Sequence, residues 1–129
     1  MQLRIGIMFT FTRLYSDWTG ESHFDDVQVH FAAVEYTDAG PPLNLSTITN
    51  AKSVRFMEAP AGWTSDWHTS PGRTLFVVFS GEWEVMVSDG EARRFAIGSV
   101  ILVENTSGAG HSSRITSVDG SLAAMIELA

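Results

Sequence analysis

The chain of 129 residues contains no cysteine. That excludes a disulfide framework and any zinc centre built on thiolates, so a metal centre would have to draw on His, Asp or Glu. Positive charge is scarce as well. Eight Lys and Arg stand against 15 Asp and Glu, for a formal net charge of −7. Nucleic acid and anionic membrane surfaces both need a cationic patch, so this balance argues against either as a partner. No stretch approaches the roughly 20 apolar residues of a membrane helix. The opening MQLRIGIMFTFTRLY lacks a clean apolar run followed by a small-residue cleavage site. No signal peptide is read there, and the expected location is the cytoplasm. A glycine-rich phosphate loop is missing, as is a G-x-S-x-G nucleophile elbow. No segment keeps a helical period.

What is present points to a β protein with a filled interior. The length suits one domain spanning residues 1–129, large enough to bury a core without covalent staples. Eight Phe and four Trp supply bulk for that core and for an aromatic-lined pocket. Val27, Val29 and Phe31 alternate with Gln28 and His30; Trp83, Val85 and Val87 alternate with Glu84 and Met86. Both patterns have strand periodicity. Leu75–Phe79 is a short continuous apolar run, as expected of a strand covered on both faces, and Val100–Val103 is a second apolar run. Asp38–Pro42, Pro60–Gly62, Ser80–Gly81, Asp89–Gly90, Ile97–Ser99 and Asp119–Gly120 are turn signals. Residues Ser112–Val118 and Leu122–Leu128 read as a terminal hairpin through Asp119–Gly120. Leu3–Leu14 reads as an edge strand or a leader. Eight to ten short strands in all predict a sandwich or barrel.

Two stretches carry the candidate chemistry. Gly62–Gly81, GWTSDWHTSPGRTLFVVFSG, places His68 before a buried strand. Gly98–His111 ends a loop on a second histidine. In the first, five residues separate Gly62 from His68; Ser70 follows two positions later, Thr74 four after that, and Gly81 closes the stretch. In the second, five residues separate Gly98 from Glu104, and His111 follows Gly110.

These spacings resemble the paired motifs of the cupins, small jelly-roll barrels. The first cupin motif is Gly, five residues, His-x-His, three or four residues, Glu, six residues, Gly. Gly62, His68 and Gly81 keep its frame, while Ser70 takes the second His position and Thr74 the Glu position. The second motif is Gly, five residues, Pro-x-Gly, two residues, His. Here Glu104 takes the Pro position and His111 arrives two residues late. The likeness covers about Ser53 to Ala129. Gly20–Phe24, Pro41–Asn44, Asp66–His68 and Gly110–His111 further resemble one subgroup of small single-domain cupins. That subgroup tends to start near Thr12, which makes residues 1–11 an extra N-terminal strand or a flexible leader.

The resemblance implies an all-β, cupin-type jelly-roll β-barrel, often a homodimer. It also implies an inward set of three His and one Glu around a divalent transition metal. Only His68 and His111 remain of that set. Asp66, two residues before His68, would share its face on an extended strand, giving an Asp66, His68, His111 facial triad. Without a metal, His68 and His111 can serve as a proton-transfer pair. The expected function is therefore a small-molecule enzyme of isomerase, cyclase or lyase type. A non-catalytic binding module and a metal-dependent dioxygenase are the alternatives. The pocket is expected to draw on Trp67, Thr74, Phe76 and Trp83. Arg73 and Arg114 can bind a carboxylate or phenolate ligand or form surface ion pairs. His23 covers the barrel mouth or sits at the surface, and His30 points to solvent or to a partner.

Overall fold

The computed structural model describes residues 8–129, and among them it has eleven strands and no helix. The strands are β1 (Phe9–Ser16), β2 (Ser22–Val29), β3 (Ala32–Val34), β4 (Leu43–Leu45), β5 (Ala51–Ala59) and β6 (Thr74–Ser80). They continue with β7 (Trp83–Val87), β8 (Ala92–Phe95), β9 (Val100–Val103), β10 (His111–Ile115) and β11 (Ser121–Leu128). A six-stranded sheet has the order β2-β1-β9-β6-β11-β5, a three-stranded sheet the order β10-β7-β8, and β3 pairs with β4 alone. All pairs are antiparallel except β1 with β9. The architecture is all-β, in several sheets that do not close into a barrel. No helix long and apolar enough to cross a membrane occurs among the described residues.

The two larger sheets meet through the faces that the period-2 pattern makes apolar. On β7, Trp83, Val85 and Val87 are buried while Met86 is exposed. They pack with Leu14 and Phe24 of the first hairpin, Val78 of β6, Phe95 of β8, Ile101 of β9 and Ile115 of β10. Phe24 meets Phe95 edge-on at 5.9 Å, and Phe76 meets Trp83 at 5.4 Å and 87°. This edge-to-face geometry suits the ring quadrupoles.

Three expectations need correction. β1 is not an edge strand: it lies between β2 and β9. Its parallel pairing of Thr12–Leu14 with Ile101–Val103 is a contact that local alternation cannot reveal. Phe9–Phe11 pair with Val27–Val29, whereas a leader or strand over residues 1–7 lies outside the described residues. The turn at Asp119–Gly120 is present, but β10 and β11 are no hairpin: β10 joins β7, and β11 inserts between β5 and β6. Last, the run Leu75–Phe79 is not covered on both sides. Phe76 and Val78 turn to the core side. Leu75 and Val77 line an open apolar groove with Phe11, Val29, Val100 and Leu102, and Phe79 is exposed.

Between β5 and β6 an irregular segment runs alongside β10, with bridges at Thr64–Arg114 and His68–His111. The amide of His68 donates to the His111 carbonyl and the amide of His111 to the His68 carbonyl, both at 2.9 Å. Ser65 and Ile115 amides continue this ladder to Ser113 and Trp63 carbonyls. The two motif stretches are thus joined by main chain. Gly110 (φ 80°) makes the approach possible, because a Cβ there would press into the His68 backbone.

Candidate functional site

Inside the sheets lies a cavity of about 210 Å³. Its walls are apolar: Leu14, Met57, Val85, Ile101, Val103 and Met125 from four strands of the large sheet and one of the small. Phe76, Trp83 and Trp63 add aromatic faces, with Trp63 set edge-on to Trp83 at 5.6 Å. The Trp83 indole N–H is satisfied by Ser121 Oγ at 2.8 Å, so this buried ring carries no unpaired donor. His68, Ser70, Thr74, His111 and Ser113 supply the polar atoms. No Lys, Arg, Asp or Glu lines the cavity among the described residues.

The two imidazoles converge, with ring centroids 4.5 Å apart and planes inclined by 56°. His111 is 7% exposed, whereas His68 is exposed at the rim. Burial, helped by the neighbouring His68, pushes the His111 pKa down to about 4, so it is neutral near pH 7. The hydrogen-bond partners define the tautomers. His68 Nδ1 lies 2.8 Å from the Asp66 carbonyl, which can only accept, so Nδ1 carries a proton and the acceptor nitrogen of the neutral tautomer is Nε2. His111 Nδ1 lies 2.7 Å from Asn105 Nδ2, which can only donate, so the neutral ring carries its proton on Nε2. The pair therefore combines one bare nitrogen with one N–H donor.

Asn105 was hidden in the sequence. Within NTSGAG an Asn reads as turn chemistry, and no spacing marks it. In the fold it is completely buried. Its side chain holds His111 and its carbonyl accepts the Ser70 amide at 3.0 Å. Its Oδ1 has no partner among the described residues. Ser113 and the two Met residues of the wall were not read as site residues either.

The other sequence candidates divide between cavity and surface. Thr74, Phe76 and Trp83 line the cavity. Trp67 does not; it is half exposed, and Trp63 stands at the wall instead. Arg73 is also outside, bound to Glu104 at 2.7 Å, and that carboxylate also holds Arg13 at 2.6 Å. Arg114 binds Glu84 at 2.8 Å on the outer face of β10. Neither arginine reaches the cavity, because each is one residue out of phase with the inward side chains Thr74 and Ser113.

A divalent transition metal fits this site poorly. The Asp66, His68, His111 triad does not assemble: no group of three His, Cys, Asp or Glu side chains converges among the described residues. Asp66 contributes its backbone carbonyl rather than its carboxylate. Ser70 and Thr74, where the cupin resemblance would expect ligands, both donate to the Gly72 carbonyl, at 2.6 and 3.2 Å. Two imidazoles and two neutral hydroxyls lack the carboxylate of a two-histidine facial site.

A separate histidine sits at the surface. His23 Nε2 is 2.7 Å from Asp17 Oδ2 and His23 Nδ1 is 2.8 Å from Asp89 Oδ2. Both ring nitrogens can donate only in the charged form, and the Asp17 and Asp89 contacts raise its pKa above the ordinary value. Hydrogen bonds from Thr19 and then His23 hold Asp17 down to about 2. The cluster ties the β1–β2 turn to the β7–β8 turn.

No protein-family model and no curated protein matches the chain. A conserved Streptococcus pyogenes protein of unknown function has a crystal structure similar to it, at 23% identity and a TM-score of 0.43. The match covers 58% of this chain and 61% of that one.

Proposed function

We propose that the chain is a small cupin-type jelly roll that binds a small organic molecule in its cavity and moves a proton on it. His68 takes the proton and His111 holds the substrate's oxygen. The observation that carries this reading is the pair of opposed tautomers, 4.5 Å apart at the wall of an apolar cavity. A neutral imidazole N–H is a competent donor to a carbonyl oxygen, and a bare Nε2 beside it is placed to accept a proton from the adjacent carbon. Surrounding apolar walls strengthen both interactions by excluding water. Phe76, Trp83 and Thr74 shape the pocket.

The test is exchange of α-protons of small ketones for deuterium in D₂O, followed by proton NMR. Wild type is expected to accelerate exchange, and His68→Gln to lose about 10²-fold or more of that acceleration. Acceleration that survives replacement of both histidines would remove them from catalysis. Binding without exchange would leave the non-catalytic module as the reading, one that the hydroxyls of Ser70 and Thr74 at former ligand positions also favour. The donor set of two imidazoles and two hydroxyls does not favour a metal-dependent dioxygenase. The homodimer implied by the cupin resemblance belongs to the same proposal. The open groove of Phe11, Val29, Leu75 and Val77 is the apolar surface offered to the second copy. A 14.1 kDa species by light scattering at high concentration would exclude it.

A further inference from the structure

We infer that the occupant of the cavity is an uncharged, single-ring carbonyl compound, an inference that rests on the proton-transfer reading above. Size comes first. A cavity of roughly 150 Å³ is enough for benzene, and this one, at about 210 Å³, has room for a ring with a small substituent. Charge comes second. Among the described residues no Lys or Arg lines the cavity; Arg73 and Arg114 lie outside it and are already bound to Glu104 and Glu84. Among the described residues no carboxylate lines the cavity to receive a cation. A buried ion without a partner is strongly disfavoured. His111, which could have supplied positive charge, is kept neutral by its burial.

Polarity comes third. The hydroxyl protons of Ser70 and Thr74 are both spent on the Gly72 carbonyl. That leaves the His111 Nε2–H and the Ser113 hydroxyl as donors for a ligand oxygen, and the first has the Nε2 of His68 beside it. A carbonyl with an adjacent C–H answers both nitrogens. The oxygen accepts the His111 hydrogen bond, the α-carbon yields its proton to His68, and the electron pair of that C–H bond moves into the enolate. Return of the proton to another position completes an isomerisation without any co-reactant. Trp63, Phe76 and Trp83 present rims and faces suited to a flat ring.

The experiment uses three probes of one heavy-atom skeleton that differ in charge: acetophenone, benzoate and benzamidinium. Each is titrated into the full chain while the indole N–H signals of Trp63 and Trp83 and the methyls of Val85 are followed by NMR. Acetophenone is expected to shift these signals saturably, and both ions to bind at least about tenfold more weakly. Benzoate or benzamidinium binding as tightly as acetophenone would overturn the neutral class while leaving the cavity as a binding site. No shift from any probe would overturn both the substrate class and the cavity reading. Acetophenone binding without α-proton exchange would keep the ligand class and remove the catalytic reading, so the two failures are distinct.

Discussion

His111 lines the inner cavity, 7% exposed, with an amide and another imidazole for neighbours. His23 stands at the surface between Asp17 and Asp89. The ring is the same and its proton affinity moves in opposite directions. Burial pushes His111 down to about 4, and two carboxylates raise His23. The surroundings therefore assign the roles: the inner His111 keeps a neutral ring beside a second imidazole, while the outer ring holds its proton and joins two turns. The difference also sets two pH windows. Below about 6.5 the unfolded chain takes a proton on His111 that the fold refuses, so this residue lowers stability as pH falls towards 4, where the effect levels. The His23 contribution is complete below about 6.5 and is lost as pH rises through its raised pKa. Its carboxylate partners add a loss at strongly acidic pH, as Asp17 protonates near 2.

The largest effect is expected where the inner pair is anchored. Gly110→Ala would force a side chain onto left-handed backbone and into the His68 main chain. The expected loss is at least ~3 kcal/mol by urea denaturation; a loss below ~1 kcal/mol would show that the approach is not tight. Next comes the acid limb. Between pH 6.5 and 4, His111 should cost about 3 kcal/mol of stability, and His111→Gln should flatten that slope. An unchanged slope would place the acid sensitivity elsewhere. Asn105→Ala, which strips His111 Nδ1 of its donor, should cost about 1–3 kcal/mol. It should also mix the two His111 tautomers in nitrogen-15 NMR, whereas wild type shows Nε2–H alone. The smallest effect belongs to the exposed cluster. His23→Gln should lower the melting temperature at pH 6 more than at pH 9, and equal losses at both would show that its charge is not what joins the turns.

The contrast between the two histidines was only half legible in the chain. Strand periodicity gave the all-β class and most strand positions, because alternation is a local property of a half-buried strand. Sheet membership is not local. β10 and β11 are consecutive and joined by a turn, yet they part to different sheets because β11 finds its partners in β5 and β6. The spacing Gly62–His68 and Gly98–His111 located the pair that meets. The placement of Arg114 was legible too: it is out of phase with His111 and Ser113, and so faces away. Asn105 was beyond reach, since its importance comes from a burial that only the assembled loop creates. The flanking of His23 by Asp89, 66 residues away, is likewise a product of tertiary structure.

His68 and His111 face each other through their backbones before their side chains take part. Each amide reaches the other's carbonyl, and neither bond involves an imidazole. Selection can therefore exchange either ring for another side chain without displacing the residue opposite. The chain at these two positions inherits a distance rather than a reaction, and descendants of the same scaffold are free to place different chemistry across it.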